Sequence, residues 1–142
     1  MNLQLQIYRQ QQVQHEVEQA SPVRLVVMLY EKAMSLLRQA VQHIDRNNVQ
    51  AKGEALNRVV EIVGELQAVL NREEGGVVAQ NLDAMYEFMI RSITLANLNS
   101  DPQPLQSVLN VLEELHKGWQ ELEQMTQNGE VAAASHPLKS MG

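Results

Sequence analysis

Residues 55–69 read ALNRVVEIVGELQAV, and within them Ala55, Val59, Ile62, Leu66 and Val69 recur at steps of four, three, four and three. A helix turns once in about 3.6 residues, so this spacing returns all five to one face. Alternating fours and threes also describe the seam along which two long helices pack at a shallow angle. A strand needs alternation every second residue, and this stretch has none. It reads as a helix meant for a bundle.

The neighbouring stretches repeat the pattern. Upstream, Asn47-Asn48 breaks an earlier run in which Leu25, Leu29, Ala33, Leu36, Ala40 and Ile44 step by three or four. Val26, Tyr30, Leu37 and Val41 form a second stripe beside it, which predicts burial over a wide arc. Ser21-Pro22 marks the start of that helix, because serine accepts orphan N–H groups and proline loses no bond at the first helical position. Downstream, the second helix is expected to end near Arg72, with Gly75-Gly76 supplying left-handed backbone that stops it. A third helix carries Val78, Leu82, Met85, Met89, Ile93 and Ala96. Asp101, Pro102 and Pro104 reset the chain before a fourth with Leu105, Val108, Leu112, Leu115, Trp119 and Leu122. Exposed faces offer i,i+4 pairs: Glu54 with Arg58, Glu87 with Arg91 and Glu113 with Lys117.

Four such helices joined by short turns imply an all-α, antiparallel up-down-up-down four-helix bundle over residues 21–126. Residues 127–142 have no periodicity and are expected to form a disordered tail. Residues 1–20 are a capping segment in this scheme, since Ile7 and Tyr8 are apolar residues in a stretch too polar to build its own core.

Composition narrows the function. The 142 residues carry 17 acidic against 11 basic side chains, a formal charge of −6, and the basic ones do not cluster. That balance lacks the electrostatic footprint of a nucleic-acid binder. One Phe, one Trp and three Tyr are too few for a base-stacking platform. The absence of cysteine removes disulfides, thiolate ligands and thiol catalysis. No apolar run approaches the roughly 20 residues that span a bilayer, so membrane insertion is not expected. The Gln-rich start lacks a signal-peptide pattern, which makes the cytoplasm the expected location.

Helical bundles can still house chemistry. A di-iron site takes Glu-x-x-His from each of two helices plus two further Glu residues. Glu113 to His116 matches once, and no second copy occurs beside His15, His43 or His136. Histidine phosphotransfer, the alternative function, wants an exposed His with Lys three residues on and Gly four on. His116-Lys117-Gly118 has those letters at spacings that face apart, and His43 has Arg46 but then Asn47. Neither catalytic residues nor a metal or other cofactor is therefore expected, and the chain reads as a binding protein rather than an enzyme.

Apolar residues exceed what a bundle core requires. Leu56, Val60, Val63 and Leu70 lie beside the main stripe of the second helix, and Ala79, Tyr86 and Ile90 beside that of the third. A surplus of this kind needs a cover. Either the N-terminal segment supplies one permanently, or the surplus is a groove for a partner helix or extended peptide. Arg9 to Ala20 can span up to about 40 Å when extended, enough to lay Ile7 and Tyr8 into that groove, from which a partner would displace them. The candidate binding residues are therefore Ile7, Tyr8, Leu56, Val60, Val63, Leu70, Ala79, Tyr86 and Ile90.

In order along the chain, Ile7-Tyr8, Ala20-Ser21-Pro22, Leu25, Met28-Leu29-Tyr30, Leu70-Asn71, Glu74-Gly75-Gly76, Ala79, Asn81-Leu82, Met85-Tyr86, Met89, Ala96-Asn97, Val108, Leu112, Leu115 and Trp119 resemble the flagellar secretion chaperone family, FliS. Met85 stands where that family often has Leu. The resemblance implies a cytoplasmic export chaperone that binds the C-terminal segment of flagellin and prevents its premature polymerisation. It implies a second partner too, the cytoplasmic domain of the flagellar type III export gate, to which the client is delivered.

Overall fold

The computed structural model describes residues 21–129. Four helices run in order: α1 Pro22–Asp45, α2 Val49–Ala68, α3 Gly76–Asn99 and α4 Gln103–Gln127. The segment holding Ile7 and Tyr8, and the tail beyond residue 129, lie outside the described residues.

The boundaries follow local chemistry. Ser21 Oγ accepts from the Arg24 amide at 3.1 Å, with Pro22 in the first turn of α1. Asn47 turns left-handed (φ 55°), a conformation its short polar side chain tolerates. Asn48 then caps α2 by accepting from the Ala51 amide at 3.2 Å. The double glycine acts differently from the sequence expectation. Helix α2 already ends at Ala68, and it is the first residue of α3, Gly76, that takes φ +55°. Between them Asn71 organises the turn, accepting from the Glu74 amide at 3.0 Å and, through its carbonyl, from the Gly75 amide at 2.8 Å. The glycines start a helix rather than stop one.

Consecutive helices pack as neighbours and α4 closes back on α1. Direction is fixed by contacts across the seams. Lys52 at the start of α2 reaches Asn97 at the end of α3, while Gln67 at the far end of α2 meets Asp83 and Glu87 early in α3. Arg24 opens α1 opposite Glu123 near the end of α4, and Arg38 faces Glu113. Both pairs are antiparallel, as expected of a bundle with short connections.

In the core, Val26, Tyr30 and Leu37 of α1 are buried together with Ala33 and Ala40, whereas Leu25, Leu29, Leu36 and Ile44 are only partly covered. The inward direction of α1 thus falls between its two sequence stripes. Tyr30 and Tyr86 meet at the centre, hydroxyl to hydroxyl at 2.6 Å, linking α1 to α3 across the bundle. Trp119 of α4 leans on Tyr30 with ring centroids 6.3 Å apart. Burial pushes the Tyr30 hydroxyl up to about 12, with its contacts to Tyr86 and Trp119 acting in the opposite sense. Tyr86 is raised further, by burial first and then by Tyr30 beside it.

The expected i,i+4 ion pairs are replaced. Arg58 reaches Glu61 and Glu65, Glu87 accepts from Gln67 of the neighbouring helix, and Glu113 turns to Arg38 while Lys117 takes Glu114. For Glu87 and Glu113 packing brings a competing partner across a seam, which a single-helix spacing rule cannot register; Arg58 and Lys117 choose other carboxylates of their own helix.

Candidate docking groove

Helices α2 and α3 leave a groove of about 400 Å³ between them. It is lined by Leu56, Val60 and Ile93 and by Asn57, Glu61, Thr94 and Asn97; Leu56 and Ile93 form its nearly covered floor, and Val60 is the apolar residue that reaches the surface. An apolar floor with a polar rim suits an apolar side chain carried on a peptide, whose backbone the rim can then engage. The sequence expectation placed its surplus apolar residues on these two helices.

The individual residues divide. Leu56, Val63, Leu70, Ala79 and Tyr86 are buried within the bundle, at 0–1% exposure. They belong to the core rather than to a surplus surface, because the buried arc of α2 and of α3 is wide enough to take in both adjoining stripes. Leu70 is in the connector after α2, and Leu56 is also part of the groove wall. Val60 and Ile90 are half-buried against the core, at positions a partner can reach.

Sequence reasoning missed a larger apolar surface. On α3, Val77, Phe88, Leu95 and Leu98 are exposed, with Val78 beside them. Val77, Phe88 and Leu95 are 11 and then seven residues apart by their numbers (88 − 77 and 95 − 88), spacings that return to one helical face. Ile90 lies two residues from Phe88, about 200° around the helix, so apolar residues reach the surface of α3 on both flanks, interspersed with Gln80, Asn81, Glu87 and Arg91. The available signal was the dense apolar content of α3 opposite its main stripe, where no surplus was sought.

No chemistry converges elsewhere. Glu113 pairs with Arg38, and His116 Nε2 lies 3.3 Å from Glu31 Oε2 in a geometry short of a hydrogen bond. Their carboxylate and imidazole therefore address different partners on α1. His43 is half-buried on α1. Among the described residues no cluster of three His, Cys, Asp or Glu side chains could hold a metal ion, and no helix is long and apolar enough to cross a membrane.

The described fold is a helical bundle with a groove of mixed lining between α2 and α3 and exposed apolar residues on α3. Comparison with known proteins makes that specific. The model of the family described as "Flagellar protein FliS" matches residues 4–126. The flagellar secretion chaperone FliS of Vibrio cholerae is 36% identical over 118 residues, covering 83% of this chain and 87% of the relative. That of Salmonella typhimurium is 36% identical over 119 residues, covering 83% and 88%. The crystal structure of a bacterial flagellar chaperone superposes with a TM-score of 0.69 at 18% identity, over 85% of this chain and 98% of that one, a likeness of fold. This chain belongs to the FliS family of flagellar secretion chaperones, which is not a family of enzymes.

Proposed function

We propose that this protein is a cytoplasmic export chaperone whose client is the C-terminal segment of flagellin, held unpolymerised and handed to the cytoplasmic domain of the flagellar export gate. The observation that carries the proposal is α3, with the groove against α2 on one flank and Val77, Phe88 and Leu95 bare on the other. An amphipathic segment of a client subunit, unfolded before assembly, supplies apolar side chains in matching number. Val60 and Ile90 make the first contacts, with Leu56, Val63, Leu70, Ala79 and Tyr86 forming the packed support beneath. Binding orders a disordered segment, and that entropy moderates its affinity. Release at the gate then requires no chemistry by the chaperone.

The test mixes the protein with its flagellin and follows both complex size and filament growth. A one-to-one complex and arrested polymerisation are expected, with the C-terminal segment gaining protection from hydrogen exchange. Normal filament growth at excess chaperone would refute the proposal.

A further inference from the structure

Among the described residues Lys52 is the one charged side chain that is buried, with 5% exposure. Lysine is almost never so buried unless paired, yet its described partners are neutral: the Asn97 carbonyl at 2.9 Å and Ser100 Oγ at 2.8 Å. Both belong to the C-terminal end of α3. An ammonium group is favoured there, where unsatisfied carbonyls give the helix end a partial negative charge. Ser100 itself is left-handed (φ 50°, ψ 40°), a conformation usually left to glycine. The hydrogen bond to Lys52 holds a serine in a place that the backbone alone disfavours.

The position matters because of what adjoins it. Asn97, whose carbonyl Lys52 holds, is also a rim residue of the docking groove, one turn beyond Ile93 and Thr94. Leu56, four residues after Lys52 and on the same face of α2, is the facing wall. Lys52 thus joins the two helices that form the groove, one turn from Leu56 and directly at Asn97. The apolar contacts of Leu56 and Ile93 do not by themselves fix the height of the last turn of α3.

We propose that Lys52 is a positioning residue for client binding: its ammonium group pins the last turn of α3 to α2 and so sets the shape of the groove. This rests on the flagellin reading above. The experiment compares the full chain with Lys52→Met, Ser100→Ala and the double variant, with Val26→Ala in the distant core of α1 as a control. Hydrogen exchange of the free proteins and affinity for the flagellin C-terminal segment are both measured. Methionine fills the space of the lysine stem without its donors. Lys52→Met removes both hydrogen bonds and should speed exchange over residues 96–101 and weaken client binding about tenfold. Ser100→Ala removes one of the two and should act in the same direction and less, and the double variant should be no worse than Lys52→Met, which has already lost that bond. Val26→Ala should lower the melting temperature and keep the affinity. If Lys52→Met does not fold, Ser100→Ala, at an exposed residue, carries the same test.

Client affinity within twofold of the unmodified protein, or unchanged exchange over residues 96–101, would overturn the role of Lys52. So would an equal loss of affinity in Val26→Ala, which would trace the effect to global stability. Failure of the unmodified chain to take up the segment would instead strike the flagellin reading, and the binding role of Lys52 with it.

Discussion

The two long sides of this bundle are finished differently. Along the α1–α4 seam, Arg24 meets Glu123, Arg38 meets Glu113 and Glu31 meets His116, so apolar cores are edged with charge. Along α3, Phe88 and Leu95 stand 45% and 57% exposed and Leu98 79%. Among the described residues the first side exposes one large apolar side chain, Met125. The second exposes several that water penalises and that no element of the described fold covers. The α2–α3 seam has polar pairs of its own, Arg72 with Asp83 and Gln67 with Asp83 and Glu87, so it is the bare apolar residues beyond that seam that mark a side built for a partner.

The contrast can be attacked through the bolt that ties the two sides together. Tyr30 belongs to the sealed side and Tyr86 to the open one, and each hydroxyl is buried against the other. Tyr86→Phe should cost about 1–3 kcal/mol, because it leaves the Tyr30 hydroxyl buried and unpaired. Phenylalanine at both positions should cost less than the sum of the two single changes. Urea denaturation of the four proteins checks this, and strict additivity would mean that the hydroxyls do not share a bond.

The same pair predicts an alkaline limit. Tyr30 is raised from 10.0 to about 12 and Tyr86 is raised as well, so the folded state holds both phenolic protons more tightly than the unfolded chain. Stability from this source is fully present below pH 10 and is lost as pH rises toward 12 and beyond. Phenolate absorbance and helix content should therefore change together above pH 10. Phenolate formation by both tyrosines near pH 10 in a still-folded bundle would contradict the burial of the pair.

The smallest expected effect lies on the sealed seam. Arg38 and Glu113 form a 3.2 Å pair with half-exposed side chains, so Arg38→Ala should shift stability by only about 0–1 kcal/mol and leave client affinity unchanged. A large loss of affinity would move the binding side to α1 and α4.

Much of this was legible in the sequence. Ser21-Pro22, Asn47-Asn48 and Asp101-Pro102 each mark a junction because capping and backbone restriction act within a few residues. The four amphipathic periods place the helices for the same local reason. The facing of each helix was less legible. Two adjoining stripes 100° apart look alike in a sequence, and only packing against neighbours decides how much of both goes inward. Leu56, Val63, Ala79 and Tyr86 went into the core that way. The bare flank of α3 and the hold of Lys52 on Asn97 depend on contacts more than 40 residues apart or on the lack of any, which no local pattern encodes.

The central claim is that α3 presents its apolar flanks to the client. Its most direct test is calorimetric titration of the flagellin C-terminal segment into a variant carrying Ile90→Glu and Phe88→Glu. Phe88 is exposed and Ile90 is half-buried against the core, so the melting temperature should fall by several degrees while the bundle stays folded. Affinity should fall by about 30-fold or more, as expected when central apolar anchors are replaced by charges. A folded variant that binds the segment as the unmodified protein does would contradict the account.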